Sequence, residues 1–138
     1  NMSSVEMAAL FRLKNIHGYI SATRGEGYGL PLIDAAASGL PVVTTNWSGH
    51  LDFLGDSFLK VDYSLIDIPK TRIDGRIFVS GTKWAEPEKQ SFINKVKYLK
   101  DNHKKCLDSA ASLRKNIKNK FTKQSVCKKY EKLFQEVG

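Results

Sequence analysis

The sequence predicts an α/β chain: a partial doubly wound parallel sheet flanked by helices, with further helices at the C-terminal end. Three observations carry this. Short apolar strands alternate with helical segments over residues 18–63, which implies parallel strands joined by crossovers. The segment PVVTT (41–45) is β-branched on both faces, as a strand covered on both sides must be. Beyond Pro87 the apolar residues recur at helical spacing. A length of 138 residues suits one domain with a real core.

The elements follow in order. Ser3 caps a first helix, and Glu6 three residues on completes a capping box. Met7, Leu10 and Phe11 form its buried face, and Asn15 to Gly18 end it. GYISAT (18–23) reads as a short buried strand, followed by a glycine loop over 24–30. Pro31 suits the start of the next helix, because its missing N–H costs nothing there. That helix runs from Leu32 to Ser38, with Gly39 past its end and Pro41 as the stop. PVVTT is the second strand, NWSGH a loop, and Leu51–Leu54 a short helix closed by Gly55. SFLKVDY (57–63) is a third strand. TRIDGRIFV (71–79) reads as a hairpin turning at Asp74-Gly75. KWAEPEK reads as the entry to a helix, with Pro87 in its first turn. Phe92, Val96 and Leu99 make one apolar stripe, and Leu107, Ala110, Leu113 and Ile117 another. Thr122 caps a last helix carrying Val126, Tyr130, Leu133, Phe134 and Val137.

Composition excludes some classes of protein. Hydrophobic content of 41% and charged content of 26% are those of an ordinary globular chain. No apolar run approaches the ~20 residues of a membrane span. No basic stretch leads into an apolar core at the N-terminus, so no signal peptide is expected. Cys106 and Cys127 are too few for a disulfide framework or a zinc site. A reducing, cytoplasmic setting is the expectation. The net charge of +8 is unevenly spread. Residues 1–82 carry 7 basic and 8 acidic side chains, and residues 83–138 carry 15 and 6. The basic helices read as a solvated surface, with contact to an anionic membrane as a further expectation. No nucleic-acid motif or aromatic interleaving accompanies them, so no nucleic-acid partner is expected.

The chemistry concentrates in ATRGEGYGLPLIDAAASGLPVVTT (22–45). A loop running from a parallel strand into a helix presents free backbone N–H groups backed by the helix dipole, which suits phosphate. Gly25, Gly27 and Gly29 allow close backbone approach. No Gly-Lys-Ser/Thr follows, and the helix opens on Leu-Pro rather than a third glycine, so this is neither a P-loop nor a dinucleotide fingerprint. Glu26 and Asp34 add two carboxylates, which repel a diphosphate but accept hydrogen bonds from hydroxyls. Hydroxyls at both ends and phosphate between them describe a nucleoside-diphosphate sugar. Strand order places the loops 23–30 and 46–50 at the C-terminal ends of neighbouring strands, where ligands bind in this fold class.

RGEGYGLPLIDAAASGLPVVTTNWSG resembles the donor-site motif of family-4 glycosyltransferases, which share the two-Rossmann-domain GT-B fold. Their pattern is Glu-Gly-Phe/Tyr-Gly-Leu-Pro, a second glutamate after seven intervening residues, a small-residue run, Gly-x-Pro-Val-Val and a glycine-containing loop. The likeness is close over about residues 18–55 and looser through WAEP and KYEKLF to the end. It implies a retaining transfer from a nucleotide sugar, with no bound metal and no further cofactor. Glu26 then stands at the catalytic glutamate that stabilises charge at the anomeric carbon. Backbone groups of Gly27, Tyr28, Gly29 and Leu30 hold sugar hydroxyls and phosphate. Asp34 stands at the ribose-binding glutamate, one methylene shorter. The resemblance also implies a single domain over 1–138, the incomplete Rossmann-like donor half, without the N-terminal acceptor domain and without the upstream Arg and Lys that neutralise the diphosphate. The parent is then the enzyme and the isolated chain inactive. A non-catalytic nucleotide-binding or interaction domain of the same fold is the alternative. The acceptor, whether glycan, lipid or protein, is left open, and a cytoplasmic, membrane-peripheral location is compatible with a membrane-borne one.

Other residues have plainer readings. Asp34 also suits a helix N-terminus through the dipole. Arg24 pairs with Glu26, approaches phosphate, or is an exposed loop arginine. His17 reads as an edge histidine. His50 is the better polar candidate, yet also reads as structural. Trp47 stacks on a base or sugar, or packs. Trp84 and Glu86 read as fixing a helix start, and Cys106 and Cys127 as inert.

Overall fold

The computed structural model describes residues 2–137. Helix α1 (Ser4–Leu10) opens on the expected capping box: Ser3 Oγ accepts from the Glu6 N–H at 3.3 Å, and the Ser3 N–H donates to the Glu6 carboxylate at 2.7 Å. Strand β1 (Tyr19–Ser21), helix α2 (Leu30–Ser38), strand β2 (Val42–Thr45), helix α3 (Leu51–Leu54) and strand β3 (Leu59–Val61) follow. The three strands form a parallel sheet in the order β1-β2-β3. Tyr19 lies opposite Val42, and Val43 opposite Leu59. This is the strand-helix alternation that the sequence predicts. Gly39, with φ of 89°, ends α2 by donating to Ala35 and Ala36 carbonyls, a conformation that favours glycine.

Strand β2 explains the layering. All four of its residues are buried. Alternate side chains point to opposite faces. Val42 therefore joins Leu32, Ala36, Phe53, Leu54, Leu113 and Ile117 on one side, while Val43 joins Val61, Leu99 and Cys106 on the other. Each fully buried Leu or Val contributes ~1.5–3 kcal/mol. A third cluster of Phe11, Ala35 and Leu40 fastens α1 onto α2.

After β3 the structure departs from the sequence reading. SFLKVDY is not one strand. It divides at Asp62 into β3 and a second element, β4 (Tyr63–Asp67), which pairs antiparallel with β5 (Lys83–Pro87). KWAEP is thus a strand, not a helix entry, and Tyr63 lies opposite Pro87. Pro87 sits at the end of this two-stranded unit, where a missing ladder donor is tolerated. The Asp74-Gly75 pair makes no two-residue hairpin. A 3-10 turn (Lys70–Arg72) leads instead into a loop centred on Asp74. Its carboxylate accepts from the N–H groups of Arg76, Ile77 and Phe78 at 2.8, 2.9 and 2.9 Å.

Three helices complete the described chain: α4 (Lys89–Asp101), α5 (His103–Lys120) and α6 (Lys123–Val137). The Ser91 hydroxyl, in the first turn of α4, donates to the Asp62 carboxylate at 2.8 Å and accepts from its N–H at 3.0 Å. On α5 the buried stripe is Cys106, Ala110, Leu113 and Ile117, not one starting at Leu107, which is exposed. Thr122 caps α6 through the Ser125 N–H at 3.0 Å, as expected. The apolar stripe of α6 is uncovered: Tyr130, Leu133, Phe134 and Val137 are all exposed. No helix among the described residues is long and apolar enough to cross a membrane.

Candidate functional site

Strands β1 and β2 are parallel neighbours, so the loops that follow them, 22–29 and 46–50, leave from the same edge of the sheet. The second loop builds the first. Ser48 Oγ accepts from the Glu26 N–H at 3.0 Å and donates to the Glu26 C=O at 2.6 Å. Thr45 Oγ1 donates to the Thr23 C=O at 2.6 Å. Gly49 packs backbone against backbone: a Cβ there would lie 2.1 Å from the Gly27 carbonyl oxygen. Only glycine fits, and the glycine holds the Glu26-Gly27 segment in place. Ser48 itself has φ of 92°, an uncommon conformation for a non-glycine residue and one tied to these two bonds.

Beneath the loops lies His50. It is fully buried, and its Nε2 is 2.8 Å from the Thr45 carbonyl oxygen. Phe58 meets the ring edge-on, and Nδ1 has no protein partner. Gly29, with φ of 86°, stands directly over it, where a Cβ would come within 3.2 Å of His50 Cβ. His50 is a supporting side chain under the α2 N-terminus. This agrees with its structural reading.

The sequence-predicted site residues divide into two groups. Glu26 and Gly27 line a crevice of ≈ 670 Å³, together with Trp47, Ser48, Phe78 and Trp84. Gly29 and Leu30 sit at the start of α2. The Leu30 N–H occupies the first helical position, where no intrahelical acceptor precedes it. Pro31 has no N–H, and the Leu32 N–H is already used by the Gly29 carbonyl at 2.9 Å. Tyr28 is partly exposed and packs its ring on Phe53 at 5.3 Å. Burial and the Asp52 carboxylate raise its phenol above the ordinary tyrosine range. Asp34 lies on the exposed surface of α2 and is not part of the crevice lining. Burial, with the Glu26 carboxylate adding to it, raises the Tyr19 phenol above the ordinary tyrosine range.

The antiparallel unit supplies a wall that the sequence reading missed. The Ala85 N–H, in β5, donates to the Arg24 carbonyl at 3.1 Å, which joins the strand to the glycine loop. Glu86 takes the Arg24 guanidinium in two hydrogen bonds, from Nε at 2.5 Å and Nη2 at 2.8 Å. This pairing holds the Glu86 carboxyl below its ordinary range and raises Arg24. The same guanidinium lies over the Trp84 ring at 4.9 Å, and Phe78 meets that ring edge-on at 5.9 Å. Arg24 thus pairs with Glu86, not with Glu26. The Trp84 Nε1–H is buried without a partner. Trp84 lines the crevice and Glu86 anchors Arg24 beside it, rather than either fixing a helix start. The alternation of Trp84 and Glu86 around a buried Ala85 was the available signal, hidden by Pro87 directly after.

This arrangement offers a carboxylate, aromatic surface and cationic side chains around one crevice at the C-terminal ends of parallel strands. Among the described residues, no group of three or more His, Cys, Asp or Glu is placed to hold a metal ion. No curated protein and no solved structure matches the chain. A family model described as a family-4 glycosyltransferase in conflict systems matches residues 11–130. That span runs from Phe11 in α1 to Tyr130 in α6 and takes in the whole sheet, both crevice loops and the β4-β5 unit. The chain belongs to the family-4 glycosyltransferases.

Proposed function

We propose that this chain supplies the donor side of a retaining glycosyl transfer from a nucleoside-diphosphate sugar. The observation that carries the reading is that Glu26 lines the crevice while its backbone is clamped by Ser48 and Gly49. In the transfer, the bond from the anomeric carbon to the diphosphate oxygen breaks and a bond to the acceptor oxygen forms. Positive charge develops at the anomeric carbon on the way. A fixed carboxylate beside that carbon stabilises it more in the transition state than in the ground state. The Leu30 N–H and the positive end of α2 favour the diphosphate. Gly27, Tyr28 and Gly29 provide backbone groups for sugar hydroxyls, and Asp34 provides an acceptor for ribose hydroxyls at the outer end. The acceptor is a glycan, lipid or protein met on the other side of the crevice.

The test is Glu26→Gln, which keeps size and hydrogen-bonding while removing the charge. In the parent enzyme, with transfer followed as nucleoside-diphosphate release, the rate falls by about 10²–10³-fold, the scale for losing one preorganised electrostatic group. Nucleotide affinity stays within about threefold. Unchanged turnover removes Glu26 from catalysis.

A further inference from the structure

The loop between β4 and β5 lines the crevice through Ile77, Phe78, Thr82 and Lys83, and it also exposes apolar and cationic side chains to which the transferase reading gives no role. Ile77, Phe78 and Val79 are consecutive and all exposed, Ile77 at 80%. Single exposed apolar residues need no explanation, but a contiguous apolar projection does. These residues are held out to water by their own backbone. The Asp74 carboxylate binds the N–H groups of Arg76, Ile77 and Phe78, and the Asp74 and Gly75 N–H groups donate to the Phe78 carbonyl at 3.1 and 3.2 Å. Asp74, the one acidic residue from 70 to 83, is therefore engaged internally. The same segment carries Lys70, Arg72 and Arg76, all exposed, and none enters an ion pair among the described residues. Lys83 is exposed as well and lies 3.9 Å from Asp67.

An apolar tip braced by its own backbone hydrogen bonds, on a segment carrying exposed cations, matches the interfacial zone of an anionic bilayer, where apolar side chains enter the acyl boundary and Lys or Arg meet lipid headgroups. A second copy of this chain is the poorer fit, because a net charge of +8 on each opposes pairing through a cationic loop. We propose that residues 70–83 are a membrane-docking loop for anionic lipid. Its consequence for the crevice follows from contacts. Phe78 abuts Trp84, Trp84 carries Arg24, and Arg24 and Glu26 belong to one loop. Docking the tip therefore fixes the crevice at the lipid surface. The docking itself does not depend on the transferase reading, since it is measured without any donor.

The experiment is vesicle pelleting of the full chain, with vesicles of phosphatidylcholine alone or with 30% phosphatidylglycerol (a probe composition of about one anionic lipid in three). The wild-type chain binds the anionic vesicles at low salt, binds neutral ones at least about tenfold more weakly, and is released by high salt. Arg72→Gln/Arg76→Gln weakens binding by roughly 25-fold, about fivefold per cation. Ile77→Ser/Val79→Ser weakens it by about tenfold or more. These positions are exposed, so circular dichroism should show an unchanged fold. A Leu133→Ser/Phe134→Ser variant leaves binding unchanged. The proposal is overturned if the wild-type chain fails to bind at low salt, if it binds both vesicles equally, or if the loop variants bind like wild type, whatever the α6 variant does. Loss of donor binding with vesicle binding intact would instead count against the transferase reading alone.

Discussion

Replacing Gly49 by alanine tests the loop-on-loop construction of the site. The new methyl would lie 2.1 Å from the Gly27 carbonyl oxygen and 3.3 Å from that of Glu26, whereas ordinary contact begins near 3.4 Å. The loops must separate by about 1.3 Å to admit it, and backbone cannot swing aside as a side-chain tip can. Overpacking of this kind costs about 1–3 kcal/mol. Parting the loops also loses the Gly49 N–H bond to the Glu26 carbonyl, 3.4 Å long, and stretches the two Ser48 bonds. Each bond contributes about 1 kcal/mol. The expected loss is about 3 kcal/mol, a fall in Tm of roughly 10 °C for a domain of this size. Gly25→Ala is the control, because a Cβ there meets no atom within 4 Å. Its Tm should stay within about 2 °C of wild type, as for a neutral surface change. Thermal unfolding followed by circular dichroism decides the matter. A Gly49→Ala protein that melts with the Gly25→Ala protein refutes the claim that these loops are locked together.

Two further perturbations read the same site. Ser48→Ala removes both hydrogen bonds to the Glu26 backbone and should cost about 1–2 kcal/mol by urea unfolding, less than Gly49→Ala; equal stability to wild type would show that the clamp is idle. Glu86→Gln tests the Arg24 pair. Both partners are substantially exposed, at 49% and 38%, so solvent screening limits its contribution to about 1 kcal/mol or less. Arg24 holds the Glu86 carboxyl below its ordinary range. The pair's stabilisation is therefore complete above the ordinary carboxylate range and is lost as pH falls through the lowered value. The stability gap between wild type and Glu86→Gln should close on acidification and shrink in high salt; a gap independent of pH contradicts the assignment.

Much of the fold was legible because local chemistry and tertiary need agreed. Ser3-x-x-Glu6 is a capping box both as sequence and as structure, and Gly39 with Pro41 ends α2 where composition said it would. The burial of β2 followed from its β-branched residues on both faces. The failures lie where two residue patterns compete. Asp74-Gly75 is a strong turn dipeptide, yet the Asp74 carboxylate gathers three following N–H groups instead of closing a two-residue hairpin. Pro87 followed by Glu88 and Lys89 imitates a helix start, but Trp84 and Glu86 are needed on β5, where Arg24 binds them. On α5 the apolar spacing admits a stripe through either Leu107 or Cys106, and only packing against Leu99 and Val43 selects Cys106. At the site, the sequence marked Glu26 and its glycines but could not supply Arg24's partner, since 62 residues separate Arg24 from Glu86. The distance between the crevice lining and Asp34 likewise depends on how α2 faces solvent, which spacing alone does not specify.

The most direct test of the donor site is an NMR titration of the chain with UDP-, GDP- and ADP-sugars to millimolar concentration, following the amides of Gly25, Gly27, Gly29 and Asp34. Binding at this crevice predicts selective shifts at the three glycines with one nucleotide, and a smaller shift at Asp34 from the ribose end. Shifts confined to other parts of the chain, or none with any of the three sugars, would contradict a donor site built on Glu26.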